Sequence, residues 1–349
     1  MSFALSYLGP AQTDWLLGED NPSVRFFALT DILDRSPRGR TAVQAKRAIM
    51  ARGPVPEILR RQNPDGGWAP AHRLYTSKYW GTVWTLIVLA ELGADPNDGR
   101  IRKACDHILE HSWSPASGGF STHPSKQGGG LESSVIPCLT GNMVFALVRL
   151  GRAEDSRVRR AVEWLTRNLR FDDSGSQPVV PNRFQHHDYC YGRHSCLHGV
   201  VKGLKGLAAL PVDLHSPAVK RTIRRGVGFM LLHQVYRSSH HPSRIARPGW
   251  ASFGFPNMWN TDALEILDIL TRLRVKDHRM LRAVDLLKKK QDSGGRWNLG
   301  HTWNGSMLVD IERKGRPSKW ITLSALRVLK RSLPVLRQDG STRSTDSSW

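Results

Sequence analysis

The segment HHDYCYGRHSCLH, residues 186–198, concentrates side chains that bind metal ions or move protons. It holds two cysteines, four histidines and one aspartate, and zinc takes thiolate, imidazole and carboxylate ligands, usually in a tetrahedron. Asp188 and Cys190 point the same way in an extended loop, because successive side chains alternate. The candidate zinc ligands are Cys138, Asp188, Cys190, His194 and Cys196. A metal-free polar loop is an equally good interpretation, since the segment contains no CxxC pair.

A second set of candidates lies where apolar helices are expected to begin. A general acid or base is expected among Asp188, His194 and Asp262. Aromatic faces suit an apolar chain or a cation, and Lys or Arg side chains bind phosphate-like anions. The candidate ligand-binding residues are Lys78, Trp80, Trp84, Arg183, Arg193, Trp259, Lys319 and Trp320. The structural alternatives are that single acids cap helices or form ion pairs, and that the aromatic residues fill an ordinary core.

The elements that must position these residues repeat along the chain. Apolar residues recur at helical spacing in five segments, which begin near residues 78, 138, 194, 260 and 318. A sixth segment, 23–35, fits the pattern less fully. Between them lie amphipathic, basic helices, joined to the apolar ones by loops such as GADPNDG (93–99), whose residue types stop and start helices. Each unit is therefore predicted to be an αα-hairpin with one buried and one exposed helix.

About six such hairpins predict an all-α protein, either an open solenoid or a closed ring. Closure is favoured because the apolar helices carry little polar surface to expose on a concave face. We therefore expect an (α/α)6 toroid, with apolar helices inside and basic helices outside. A single toroid domain over 1–332 and a disordered tail over 333–349 complete the predicted organisation. The inner helices should all begin at one mouth of a central cavity, where the candidate residues would meet.

One frame, glutamine, three residues, glycine, one residue and tryptophan, occurs twice, as QNPDGGW (62–68) and QDSGGRW (291–297). Each copy follows an outer helix. Glycine supplies a tight turn, tryptophan can cover a helix end, and glutamine can bond to unsatisfied backbone groups. The frame is thus predicted to staple neighbouring hairpins together. SGGF (117–120) and FDDSG (171–175) look like weaker copies.

These frames resemble the QW repeat of squalene–hopene cyclases and oxidosqualene cyclases, and the resemblance covers roughly residues 20 to 330. It implies the same (α/α)6 toroid, which protein prenyltransferase β-subunits share. The segments CLTGN, CYGRHSC and PSKWITL are also similar to bacterial squalene-cyclase or prenyltransferase repeat proteins. The resemblance is specific for the fold and weak for the reaction.

The chemistry that the family implies is incomplete in this chain. The run Asp188-Tyr189-Cys190-Tyr191 matches the zinc-binding segment of prenyltransferase β-subunits, but residues 259–262, where a histidine ligand would follow, contain none. Cys138, His194 or Asp262 would have to complete the set. The DxDD acid segment of class II cyclases and the DDxxD diphosphate site of class I enzymes are also missing. Polyene cyclisation by either machinery is therefore not supported.

Composition sets the remaining expectations. The formal net charge of +21 would attract anions, but the basic residues recur on predicted outer helices without a nucleic-acid motif. Four cysteines in 349 residues do not form a disulfide scaffold. The N-terminus does not read as a signal peptide and no apolar run would span a membrane, so a cytoplasmic protein is expected.

Three functions fit these observations. The first is an enzyme, a terpenoid cyclase-like or prenyltransferase-like transferase or isomerase, with zinc at the mouth of a central cavity and an isoprenoid or lipid-like substrate. The second is a toroid module that binds an apolar ligand or a partner protein without catalysis. The third is a carbohydrate-active lyase or hydrolase on a helical ring. For an apolar ligand, an anionic group is expected at the cavity mouth, near the candidate Lys and Arg side chains.

Overall fold

The computed structural model describes residues 9–173, 188–191 and 194–336. In these ranges the chain forms helices and turns, with isolated backbone bridges such as Trp113–Phe120 in place of longer strands. The helices are α1 Pro10–Leu16, α2 Pro22–Phe27, α3 Arg40–Ala51, α4 Pro54–Arg60, α5 Thr82–Leu92, α6 Gly99–His111, α7 Pro137–Arg149, α8 Ser156–Asn168, α9 Asp188–Tyr191, α10 Leu197–Ala209, α11 Pro217–Leu232, α12 Ala263–Arg272, α13 Leu281–Lys289 and α14 Lys319–Leu336. A π-helical turn, Ala28–Ile32, continues α2.

The inner helices α2, α5, α7, α10, α12 and α14 form a ring. From α5 to α14 each packs against the next, and α14 returns to contact α2 and its π-helical turn. Phe27 of α2 lies against Gly93, which follows α5. The ion pairs Arg327–Asp31 and Lys330–Asp34 tie the last inner helix to the first. Helices α3, α6, α8, α11 and α13 each pack against their own inner helix, so the predicted all-α (α/α)6 toroid is confirmed.

Helices α5, α6 and α8 begin or end at the glycine and aspartate residues of the loops, as the sequence predicts. Helix α5 ends at Gly93, whose φ of 72° lies in the left-handed region that glycine adopts without strain. Asp98 and Asp155 cap α6 and α8 by accepting hydrogen bonds from the backbone N–H groups of Arg100 and Arg157. Because the acids also pair with these two arginine side chains, the pKa of each carboxyl is lowered.

Two helix ends differ from the prediction. Helix α5 begins at Thr82, because Gly81 is extended, so Lys78 and Trp80 lie in the preceding turn rather than in the helix. Helix α14 continues to Leu336, past the predicted domain end at residue 332. The rest of the predicted tail, 337–349, lies outside the described residues.

The first QxxxGxW frame is a hydrogen-bonded staple. Gln62 Nε2 donates to Gly66 O at 2.8 Å and to Arg100 O, at the start of α6, at 2.9 Å. The indole N–H of Trp68 donates to Ile58 O at 2.9 Å. The tryptophan is buried, so it covers the end of the preceding helix α4.

The second frame repeats two of these three bonds more than two hundred residues later. Gln291 Nε2 donates to Gly295 O at 3.1 Å, and Trp297 Nε1 donates to Leu287 O, in the preceding helix α13, at 2.7 Å. Trp297 is fully buried. The predicted role of the frame, a staple between neighbouring hairpins, is confirmed by this match.

A threonine on the next inner helix completes each frame. Thr82 Oγ1 and Thr322 Oγ1 accept from the backbone N–H of the frame tryptophan, both at 3.1 Å. The weaker copy SGGF makes the same contact, since Phe120 N donates to Thr140 Oγ1 at 3.0 Å. An aromatic residue and a threonine are therefore the repeated pair that joins an outer helix to the following inner one.

The variant Thr82→Val is expected to lower the free energy of unfolding by about 1–3 kcal/mol, because the buried N–H of Trp68 loses its acceptor at constant side-chain volume. Urea unfolding followed by circular dichroism measures the loss. Thr41→Val, at an exposed position at the start of α3, is the control and should leave the midpoint unchanged. Equal midpoints for the two variants would contradict the staple.

Buried charges lie between the inner helices. Glu265 on α12 accepts hydrogen bonds from Lys202 Nζ at 2.7 and 2.8 Å and from Lys205 Nζ at 2.8 Å. Lys205 also pairs with Glu91 on α5. Lys202 is fully buried, and burial lowers its pKa to about 8. The inner helices are therefore joined by ion pairs as well as by apolar contacts.

The cavity beside these charges is small. Its volume is ≈ 80 Å³, and charged groups such as Lys205, Glu265 and Asp268 line it. Ligand pockets have volumes of about 300–1,000 Å³. The cavity inside the ring is therefore lined by charged groups rather than by apolar side chains alone. Among the predicted aromatic residues Trp320 lines it, whereas Trp80, Trp84 and Trp259 do not.

Candidate functional site

A second cavity, of ≈ 460 Å³, lies where inner helices α10, α12 and α14 begin. Its volume falls in the range of about 300–1,000 Å³ that small-molecule sites occupy. We call it the mouth pocket. Its lining residues are His198, Pro248, Gly249, Trp250, Ser252, Trp259, Asn260, Thr261, Gly300, His301, Trp303 and Lys314.

Aromatic rings from distant parts of the chain meet at the mouth pocket. Trp259, before α12, donates its indole N–H to the hydroxyl of Tyr79, before α5, at 2.9 Å. Tyr79 lies against Trp303, with ring centroids 3.9 Å apart, and Trp303 lies 6.4 Å from Trp259. His198, in the first turn of α10, contacts Trp259 and Trp250 edge-on at 5.4 and 5.8 Å. The beginnings of three inner helices and the connection before α14 thus build one aromatic wall.

Hydrogen bonds fix the segment that carries Trp250 and Trp259. Asn142 on α7 donates through Nδ2 to Met258 O at 3.0 Å, and Asn260 Oδ1 accepts from Met258 N at 3.0 Å. The N–H of Ala263, the first residue of α12, donates to Trp250 O at 2.8 Å. The aromatic wall therefore rests on two inner helices rather than on a free loop.

The surroundings of the two histidines in the mouth pocket favour their uncharged form. Burial lowers the pKa of His198 to about 4, and the nearby charges of Lys202 and Arg247 act in the same direction, whereas that of Glu265 acts against them. Burial and the charge of Lys314 also lower the pKa of His301. No Asp or Glu is among the lining residues given above. The pocket therefore combines weakly basic imidazoles with one charged lining side chain, Lys314.

Five polar atoms on these lining residues have no hydrogen-bond partner within the described ranges. They are His198 Nδ1, Trp250 Nε1, Thr261 Oγ1, His301 Nε2 and Trp303 Nε1. All five are enclosed by neighbouring atoms. Buried polar groups are usually paired, and an unpaired one costs about 1–3 kcal/mol. A concentration of such groups around one cavity is typical of a site that binds a polar group of a ligand or ordered water.

The cysteines of the predicted metal site lie together. Cys190 is within hydrogen-bonding reach of both Cys138, in the first turn of α7, and Cys196, which precedes α10. The hydrogen bond with Cys138 is the main cause that raises the pKa of Cys190 to about 12. Cys196 Sγ also accepts a hydrogen bond from Gly199 N at 3.4 Å and so caps α10. Cys138 at the start of α7 therefore meets Cys190 and Cys196 from the segment before α10.

The described residues do not assemble a metal centre. Within them, no group of three or more Cys, His, Asp or Glu side chains is placed to hold an ion. His194 is exposed and lines a separate cavity beside Asp173 and His233. Asp188 begins α9, and its side chain lies outside the described part of the chain. The donor set that can be seen does not fit zinc, so zinc stays a prediction, which elemental analysis of the purified protein tests.

Asp262 lies at the inner cavity rather than beside the cysteines. It caps α12, because its carboxylate accepts hydrogen bonds from Glu265 N and Gly254 N, both at 2.8 Å, and from Asn257 Nδ2 at 3.1 Å. Burial raises the pKa of Asp262 to about 6, although these hydrogen bonds act to lower it. The capping alternative accounts for its position, and a catalytic role for it stays a prediction.

Lys319, Lys78 and Trp84, three of the predicted ligand-binding residues, have partners away from the mouth pocket. Lys319 forms an ion pair with Asp20 and is buried. Lys78 lies over the rings of Tyr75 and Trp84, with its ammonium 5.1 and 5.8 Å from their centroids. Trp84 is buried and donates its indole N–H to Tyr75 O at 2.7 Å. None of these three predicted residues lines the mouth pocket.

Among the predicted aromatic residues, Trp259 lines the mouth pocket. Trp320 lines the inner cavity, and Trp80 is half-buried in the turn before α5. Trp259 and Trp320 therefore line two different cavities. Two further predicted residues lie outside the described ranges, Arg183 and Arg193.

Most of the mouth pocket was missed by reasoning from sequence. Trp250, Thr261, His301, Trp303 and Lys314 were not predicted as ligand-binding residues. A signal for some of them was present, since WNLGHTWNGS (297–306) places His and Trp in a long connection between α13 and α14. Long connections without secondary structure are often functional. The connection between α11 and α12 contributes Pro248, Gly249, Trp250 and Ser252 to the pocket.

Comparison with solved structures gives distant matches. A ligand-free variant of type II terpene cyclase MstE from Scytonema is 15% identical, with a TM-score of 0.43, over 93% of this chain and 98% of that chain. Another variant of that enzyme, in complex with its substrate geranylgeranyl dihydroxybenzoate, is 14% identical with a TM-score of 0.43, over 93% and 99%. A protein from Actinoplanes is 15% identical with a TM-score of 0.42, over 89% of each chain.

These values describe a remote likeness, and the toroid assigned above rests on the contacts between this chain's own helices. No protein-family model and no curated protein matches the sequence. Among the helices that the structure describes, none combines the length and the apolar character needed to cross a membrane. Fold and site together define the class of the protein as an α/α toroid with an aromatic pocket at the mouth of its ring.

Proposed function

We propose that this toroid binds an isoprenoid-like or other apolar small molecule in the mouth pocket. The observation that carries the proposal is the aromatic wall of Tyr79, Trp259 and Trp303 beside a cavity of ≈ 460 Å³. Tyr and Trp present large apolar faces and suit sites where one end of the ligand remains wet. Trp259 is 37% exposed, so part of its ring surface is open to a ligand.

The ring interior is the less suitable place for an apolar ligand. Its ≈ 80 Å³ cavity is bordered by charges such as Lys205, Glu265 and Asp268, and an apolar chain would desolvate them without offering hydrogen bonds. Among the lining residues of the mouth pocket, Lys314 is the one Lys, Arg, Asp or Glu side chain. A glycoside hydrolase needs a pair of carboxylates, and the lining residues of this pocket supply none.

Trp259→Ala is expected to weaken binding of farnesol by about tenfold or more, because a ligand at the wall loses an aromatic contact of the kind that dominates binding energy. Isothermal titration calorimetry measures the affinity. Trp113→Ala is the matched control, since Trp113 is also partly buried but contacts Arg160 away from the pocket. Equal affinities for the two variants would contradict the assignment of the site.

A more specific version of the proposal is that this protein is an enzyme that also converts the bound isoprenoid. His198 and His301 are the candidate catalytic residues, because each uncharged imidazole carries one nitrogen that can accept a hydrogen bond or a proton. Incubation with a panel of prenyl diphosphates, with products detected by mass spectrometry, separates the two forms. Product that disappears in His198→Gln supports an enzyme, whereas ligand binding without any product leaves a binding module.

A further inference from the structure

We infer that the ligand of the mouth pocket carries a carboxylate group on its apolar frame. The inference rests on the proposed function and names the head group that the pocket recognises. It follows from two independent features of the lining residues, which are their unpartnered hydrogen-bonding atoms and the sign of the charge around them.

The unpartnered atoms of the pocket are mainly donors. The indole N–H groups of Trp250 and Trp303 can only donate a hydrogen bond. The hydroxyl of Thr261 and the neutral rings of His198 and His301 can each donate one as well. A group that satisfies several donors at once must offer several lone pairs, as a carboxylate does with its two oxygens. A hydrocarbon ligand would leave all of them unpaired.

The charge around the pocket favours an anion over a neutral acceptor. Lys314 is exposed at the rim beside His301, and His198 experiences two cations, Lys202 and Arg247, against one anion, Glu265. The lining residues contribute no carboxylate to offset these cations. Hydrogen bonds to an ionised acceptor are about twice as strong as neutral ones. A cationic ligand is disfavoured by the same field, although aromatic faces are available to it.

The donors come from three segments, so the head group would bridge them. His198 is in α10, Trp250 and Thr261 lie before α12, and His301 and Trp303 lie in the connection before α14. Each of these atoms is covered by its neighbours, so contact with a ligand requires rotation of the ring or hydroxyl that carries it. A hydroxyl rotates without moving the backbone, which makes Thr261 the donor that adapts most easily.

Three probes with related farnesyl skeletons test the inference, namely farnesoic acid, farnesol and farnesene. Tryptophan fluorescence titrations at pH 7.5 are expected to give about tenfold tighter binding of the acid than of the alcohol, and weaker binding still of the hydrocarbon. Equal affinities for acid and alcohol would overturn the carboxylate inference while leaving the proposed function in place. Failure of all three to bind would overturn both.

Two variants test whether residues of the mouth pocket cause the preference for the acid. Thr261→Val keeps the side-chain volume and breaks no hydrogen bond of the Thr261 hydroxyl, and Lys314→Gln changes an exposed position. Each is expected to reduce the preference for farnesoic acid over farnesene by about three- to tenfold, without weakening farnesene binding. Lys289→Gln, on the exposed face of α13, is the control and should keep the wild-type preference. An unchanged preference in both pocket variants would overturn the inference.

Discussion

Glu265→Gln is expected to lower the free energy of unfolding by about 3–5 kcal/mol, the usual cost of leaving a buried charge without its partner. The carboxylate of Glu265 lies between two ammonium groups, 2.7 Å from Lys202 Nζ and 2.8 Å from Lys205 Nζ. Lys202 is 0% exposed, so water cannot replace the lost charge. Lys205 keeps Glu91 as a partner, and Lys202 is the group left without one.

Thermal and urea unfolding measure this effect, and a decrease in Tm on the order of 10 °C is expected. Glu91→Gln is the matched control, because the Glu91 side chain is 25% exposed and its removal leaves Lys205 paired with Glu265. Its loss of stability should be clearly smaller. Lys202→Met combined with Glu265→Leu should recover much of the loss, since an apolar replacement of a buried pair is often neutral. A wild-type Tm for Glu265→Gln would contradict the buried ion network.

Gly141→Ala is expected to destabilise the protein by about 3 kcal/mol or more, because it overpacks a contact between two helix backbones. A Cβ at Gly141 on α7 would collide with the backbone of Lys202 on α10 and lie 2.5 Å from Gly203 N. A Cβ at Gly206 would in turn lie 2.6 Å from Gly141 O. No flexible side chain can move aside here, so α7 and α10 would have to separate.

The same unfolding measurements test Gly141→Ala, and a complete loss of soluble protein would be the most severe result of the destabilisation. Gly228→Ala on the exposed face of α11 is the control, since a Cβ there meets nothing within 4 Å. It should stabilise the protein by up to about 1 kcal/mol, because alanine is the better helix former. If the two alanine variants had the same stability, the close approach of α7 and α10 would be refuted.

The ring of helices was predictable because sequence patterns within each segment agree with the fold that the whole chain adopts. Apolar periodicity placed an inner helix from residue 138, and α7 spans Pro137–Arg149. Loop acids predicted helix starts, and Asp98 and Asp155 do cap α6 and α8. The two tryptophan frames predicted a staple, and three of its hydrogen bonds, those of the glutamine side chain to glycine, of the indole N–H and of the tryptophan backbone N–H, occur in both copies. Each signal concerns residues close in sequence, so no tertiary information was needed.

The charged interior was not predicted, although a trace of it is visible in the sequence. Lys202 and Lys205 are three residues apart, as are Glu265 and Asp268, so each pair occupies one face of its helix. Which face points into the ring depends on how the helix is rotated about its axis. The close contact of Gly141 with α10 fixes that rotation, and it joins residues about sixty positions apart.

The site was predictable only in part for a similar reason. Trp259 was identified because it precedes an inner helix, where the toroid places its mouth. His301, Trp303 and Lys314 lie in a long connection without periodicity, and sequence spacing does not reveal where such a connection folds. Lys319 occupies a matching helix start but pairs with Asp20, a partner almost three hundred residues away. Local pattern locates the end of a helix, and tertiary contacts decide which side chains there remain available.

Photo-crosslinking with a diazirine analogue of farnesoic acid tests the central claim, binding at the mouth pocket, most directly. Peptide mapping by mass spectrometry is expected to find the label within residues 248–261 and 300–314, with competition by unlabelled farnesoic acid. Label on the helices around the inner cavity, such as Ala263–Arg272, or spread over the outer helices without competition, would contradict the account.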